Sequence, residues 1–211
     1  MKQLFAFLLF FVFARAQSQY TVVVIPTEGV DKPLFPEHGF LPGKQFRYYP
    51  TIGKYDFTGQ HFRLEFFDRR DSLHIIALPC SDVELNNQSE FAGAGGAGKV
   101  SEYFQRLFPQ AGITLDSAAA DTLRVFLQAM DSRLIGFGSI TAHGLCSMKI
   151  EWKDFSKTYC IDITDKDPHS PVGKNAFVTR KTATRIIQSA SIREVIELFF
   201  IDLKAIRAGT L

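Results

Sequence analysis

The chain has 211 residues, with 24 Lys and Arg against 22 Asp and Glu, 46% hydrophobic residues and 3 cysteines. That length suits one domain with an appendage, and the apolar content is ordinary for a globular protein. Lys2 and Arg15 belong to a leader. Without them 22 cations face 22 anions, so the electrostatic footprint of nucleic-acid binding is missing.

The leader is read first. Lys2 precedes an unbroken apolar run, Leu4–Phe13, followed by the small-x-small triplet Ala14-Arg15-Ala16 and polar Gln17-Ser18-Gln19. These are the parts of a secretory signal peptide, here residues 1–16. The run falls short of the roughly 20 residues that span a bilayer. No later stretch is longer, so no transmembrane segment is expected in the mature chain. No Cys follows the triplet, so no lipid anchor is expected either. Residues 17–211 are expected to form a single exported or periplasmic domain.

Thr21–Ile25 is a β-branched run stopped by Pro26, and reads as a strand. Residues 27–60 break all periodicity. Pro and Gly alternate there with Phe35, Phe40, Phe46, Tyr48, Tyr49, Tyr55 and Phe57. Long loops of this kind are often functional, which makes Phe40, Phe46, Tyr48, Tyr49 and Tyr55 the candidate contact residues. The alternative is an arm pinned across the sheet by its aromatics. His61–Asp68 alternates Phe62, Leu64 and Phe66 with polar residues and predicts a half-exposed strand. Arg69–Ser72 is a turn, and Leu73–Leu78, ended by Pro79, predicts a buried strand.

Val100, Tyr103, Phe104, Leu107, Phe108 and Ala111 share one helical stripe, with Gly112 as the stop. Thr122–Met130, Ser139–Trp152 and Thr158–Thr164 predict strands, the last two joined as a hairpin through Asp154 and Ser156. Phe177–Gln188 is rich in Thr and β-branched residues and predicts another strand. Ser191 and Glu194 make a capping box ahead of a second helical stripe, Ile192 to Ile206. The expected architecture is α+β: two layers, a mainly antiparallel sheet covered by two amphipathic helices.

Several motifs bear on chemistry. Gly93–Lys99 matches the opening of a phosphate-binding loop, but Val100 stands where the metal-binding hydroxyl belongs, and the preceding strand ends far upstream. A Gly/Ala-rich hinge entering a helix explains it better. Asp162, Asp165, Asp167 and His169 lack calcium-loop spacing. His38, His61, His74 and His143 are scattered, and Ser139 sits in only half of a nucleophile elbow. No catalytic residue, metal site or cofactor is therefore expected. Cys80, Cys146 and Cys160 read most simply as small buried hydrophobes, with one bridge and one free thiol as the alternative. Strand parity turns Cys146 to the core and Cys160 away from it, so these two should not bridge.

From about Val100 to Ile206 the order of elements resembles the small YajG-type bacterial envelope lipoproteins. The likeness lies in the helix ending at Ala111-Gly112-Ile113, the strand Leu123-Arg124-Val125-Phe126-Leu127, a long hairpin, a Thr-rich strand and a terminal helix beginning Ser191-Ile192-Arg193-Glu194. It implies a non-catalytic envelope protein. The expected role is binding or assembly with an unidentified envelope protein or ligand. The alternative is an exported enzyme using residues 27–60 as a lid.

Overall fold

The computed structural model describes residues 55–86, 94–166 and 180–211. The leader, the Thr21–Ile25 run, Phe40, Phe46, Tyr48, Tyr49, His38, Asp167 and His169 lie outside them.

Among the described residues there are five strands in one sheet: β1 (His61–Asp68), β2 (Thr114–Leu115), β3 (Thr122–Ile135), β4 (Thr141–Trp152) and β5 (Phe155–Thr164), in the spatial order β2-β1-β3-β4-β5. The helices are a single turn, α1 (Arg70–Leu73), then α2 (Ala94–Gln110) and α3 (Arg180–Arg207). The sheet is mixed: its longer ladders are antiparallel, but β1 runs parallel to both β2 and β3. Only β3–β4–β5 is an antiparallel meander. The reason is the helical crossover: α2 carries the chain back across one face before β2 and β3 form, and such a return makes parallel neighbours.

α2 and α3 cover the same face, and one core holds both. Phe104, Leu107 and Phe108 of α2 meet Val195, Phe199 and Phe200 of α3 over Leu123, Val125, Met148 and Ile150 of the sheet. Phe62 stands edge-on to Trp152 at 5.3 Å. α2 ends in a Schellman turn. Gly112 takes φ 79, its N–H donates to the Pro109 carbonyl, and the Ile113 N–H donates to the Phe108 carbonyl, which satisfies carbonyls the helix end would leave open.

Four sequence expectations are corrected. Of the strand expected over Phe177–Gln188, residues 177–179 lie outside the described residues, and from Arg180 onward the chain is α3, 28 residues long. Ser191 is accordingly not a cap. It is buried mid-helix, where its hydroxyl donates to the Gln188 carbonyl. Leu73–Leu78 is not a buried strand either, since Leu73 and Ile76 are exposed and Ala77 makes only an isolated bridge to Glu84. The Gly/Ala run is not a hinge, because Ala94 to Gly98 already belong to α2.

β4 runs from a small-residue end, Ala142, Gly144, Cys146 and Ser147, to a large one, Met148, Ile150 and Trp152. At the small end α3 comes so close that a methyl group on Gly144 would collide with the Ile187 carbonyl oxygen. One step on, the Gln188 amide donates to the Leu145 carbonyl at 3.0 Å. Gly98, on α2, has open space around it. Gly144→Ala is therefore expected to cost about 1–3 kcal/mol of stability, whereas Gly98→Ala should gain about 0.5–1 kcal/mol from helix propensity. Chemical denaturation of the two variants measures both.

Candidate functional site

The candidate site lies on the sheet face opposite the helices. Its position follows from a bulge in β3. Leu123, Val125 and Leu127 face the core, but the register shifts between Leu127 and Ala129, so Met130 is the next core residue. Ala129 and Asp131 are turned to the outer face, opposite Ser147 and Leu145 of β4. There Ala129 and Leu145 form a second apolar cluster with Leu78, with Ile75, Cys80, Val83, Leu85 and Cys160 packed against it. Residues 75–86 thus form a cover over the outer face.

Cys80 and Cys160 form a disulfide that ties this cover to β5, and Cys146 stays free. The expectation of three reduced, buried cysteines is corrected in favour of the one-bridge alternative. The parity argument holds, since Cys146 lies in the core and Cys160 on the opposite face. Burial pushes the Cys146 thiol far above its ordinary range, so it stays protonated and unreactive.

Polar contacts complete the attachment. The Leu85 N–H donates to the Ile76 carbonyl at 2.7 Å, closing the cover on itself. Arg133 donates to the Glu84 carbonyl at 2.8 Å, and the Asn86 N–H donates to the buried Asp131 carboxylate. Ser81 donates to Asp162 at 2.6 Å, and the same carboxylate lies 3.0 Å from His143 Nδ1.

Serine, aspartate and histidine together suggest nucleophilic catalysis, but the connectivity is wrong for it. The imidazole must stand between hydroxyl and carboxylate in order to take the serine proton. Here Asp162 stands in the middle, so its negative charge draws the Ser81 proton and nothing removes it. The arrangement acts as a clamp, holding the cover by Ser81 and the β4–β5 pair by His143.

A second feature lies at the other side of the sheet. Arg63 N–H donates to the Asp121 carbonyl and Arg69 N–H to the Leu127 carbonyl, so the odd-numbered residues of β1 turn their backbone groups to β3. The even-numbered ones face β2. Phe62 is met there by the Asp116 N–H, but the chain then turns away at Asp116. Among the described residues, Leu64 and Phe66 consequently face a groove of about 710 Å³, walled by Ser101, Gln105 and Pro109 of α2.

The other sequence candidates are dispersed. Tyr55 is half-buried, stacked on Phe57 and edge-on to Phe200 at 5.4 Å. The Phe57 N–H donates to the Ala111 carbonyl, next to the groove-lining Gly112. Lys99 lies within α2, ion-paired to Glu102 at 3.2 Å. Asp165 accepts the Ala142 N–H at 3.2 Å, and Ser139 lies in the β3–β4 loop. His61 and His74 are exposed and apart from His143. The Ser81–Asp162–His143 clamp and the Cys80–Cys160 pair were not found from sequence. Asp162, His143 and the one-bridge alternative were each named there, but nothing in the sequence joined them.

No protein-family model matches the chain, and no curated protein matches it. Among solved structures it is similar to a Xanthomonas campestris protein of the family DUF330, at 11% identity and a TM-score of 0.43, over 69% of this chain and 83% of that one. It is also similar to a minor lipoprotein from Acinetobacter baumannii, at 9% identity and a TM-score of 0.39, over 70% of this chain and 94% of that one. Scores this low do not establish a shared fold.

The cysteines of the disulfide are 80 residues apart. Closing a loop of that length restricts the unfolded chain by roughly 4 kcal/mol in the chain-entropy description. The Cys80→Ser/Cys160→Ser double variant is expected to lose stability on that order in urea unfolding. A loss below about 1 kcal/mol would mean that the cover holds without its staple.

Proposed function

We propose that this protein is exported, resides in the cell envelope and has a non-catalytic binding or assembly role. The observation that carries the export reading is the Cys80–Cys160 disulfide, because such bonds persist in oxidising compartments and are rare in reducing ones. The bond agrees with the leader of residues 1–16, which was recognised on separate grounds.

Two features support a binding role. The edge of β1, unpaired beyond Phe62 among the described residues, presents the backbone groups of Leu64 and Phe66 to a groove, a geometry suited to an added extended segment. Tyr55 and Phe57, which follow the aromatic segment of Phe40, Phe46, Tyr48 and Tyr49 in sequence, pack on the core beside one end of that groove. In this reading those aromatics are the contact surface and Tyr55 is its anchor. The non-catalytic half is supported by the clamp, whose carboxylate sits between serine and histidine.

Fractionation and mass measurement test the proposal. The native protein should be found in the envelope fraction, beginning at or near Gln17. A cytosolic protein still carrying Met1 would end the reading. Replacing Phe40, Phe46, Tyr48 and Tyr49 together by Ser should abolish capture of envelope partners with little change in melting temperature. Unchanged partners would remove the aromatic segment from the contact surface.

A further inference from the structure

The β3–β4 hairpin outruns the rest of the sheet. β1 makes its last pair at Asp68 with Leu127, and β5 makes its last at Thr164 with His143. Two more β3–β4 pairs follow, Leu134 with Ala142 and Ile135 with Thr141, and the loop 136–140 lies beyond them. The backbone of this loop is specified by glycine. Gly136 and Gly138 take φ 129 and φ 79, values that L side chains rarely adopt. A methyl group on Gly136 would also meet the Ser139 carbonyl. Between them Phe137 is held fully in solvent at 104% exposure, flanked by Ile135 and Ile140, also exposed.

Cations collect at the base of this tip. Arg133 is on β3, two residues before Ile135. Lys166 is exposed and follows Asp165, whose N–H donates to the Ala142 carbonyl at 3.1 Å. α3 begins at the same end of the sheet, since Ile187 meets Gly144 there while Phe199 packs on Phe155 at the far end. Its first turn carries exposed Arg180 and no acid. From Ser132 to Ala142 there is no acidic side chain. Of the carboxylates at the base, Asp165 is engaged with the Ala142 N–H, and exposed Glu84 stands beside Arg133, whose guanidinium donates to the Glu84 carbonyl.

We propose that this hairpin tip inserts into the interface of a bilayer containing anionic lipid, with Phe137, Ile135 and Ile140 entering the acyl boundary and the cations meeting the headgroups. Three apolar side chains on a projecting point offer far less than the roughly 800 Å² per partner of a stable protein–protein interface. Apolar insertion combined with a basic collar is how peripheral proteins hold anionic membranes. An aromatic ring at the boundary also suits the membrane interface. The inference deepens the envelope reading and depends on it only for which membrane is met. Vesicle binding by purified protein is independent of export, so either can fail alone.

The test is flotation of the purified protein with phosphatidylcholine vesicles that contain or lack phosphatidylglycerol. Binding should require phosphatidylglycerol and weaken as salt rises. Phe137→Ser should reduce it by roughly tenfold or more, with an unchanged melting temperature. Leu73→Ser, at an exposed apolar position on α1, should leave it unaltered. In a Phe137→Trp variant, emission should shift to the blue on adding anionic vesicles. No binding to the anionic vesicles, equal binding by Phe137→Ser, or no spectral shift would each overturn the proposal.

Discussion

The structure depends on β4 being buried on both faces. On one side Gly144 lets α3 approach until the Ile187 carbonyl lies against the strand. On the other side Leu145 is sealed under residues 75–86. A strand in that position must carry small residues where the helix crosses and an apolar residue where the cover lies. Ala142, Gly144, Leu145 and Cys146 meet both demands within five residues. Among the polar groups there, the Leu145 carbonyl accepts from the Gln188 amide and Ser147 donates to Gln128 at 3.0 Å.

The cover has little secondary structure of its own. Apart from the single Ala77–Glu84 bridge, its backbone lacks a ladder, and its order comes from side-chain ties: a disulfide, the Ser81–Asp162 bond, and the Arg133 and Asp131 contacts at its far end. Of these the disulfide is the strongest and the most sensitive to compartment. That is why the same three-residue set, Ser81, Asp162 and His143, is better understood as an attachment point than as a reaction centre. On the helix-covered face, Tyr159 and Lys157 of β5 both reach Asp202 of α3 at 2.6 Å, so β5 is fastened on either side by polar contacts flanking its apolar positions.

Much of the sheet was legible because alternation is a local signal. His61–Asp68 and the β4–β5 hairpin follow from it directly, as does the opposite orientation of Cys146 and Cys160. Other features were hidden for physical reasons. The bulge at Gln128 breaks the alternation of β3, which conceals its extension to Ile135. The start of α3 was misread because Thr182, Thr184, Ile186 and Ile187 favour strands in isolation, and burial of Ile186 and Ile187 overrode that preference. The helix is buried nearly all round between Ile186 and Phe200, so no clean stripe marks its beginning. The Cys80 pairing joins residues distant in sequence, and no local pattern encodes it. The parallel placement of β1 was equally invisible, since strand direction is set by the crossover through α2.

The measurement that bears most directly on this picture is disulfide mapping of the native protein, isolated without reductant and alkylated before digestion. A cross-linked pair of peptides containing Cys80 and Cys160 is expected, with Cys146 alkylated only after unfolding. Alkylation of Cys80 and Cys160 in the folded protein, or a bridge that includes Cys146, would contradict it.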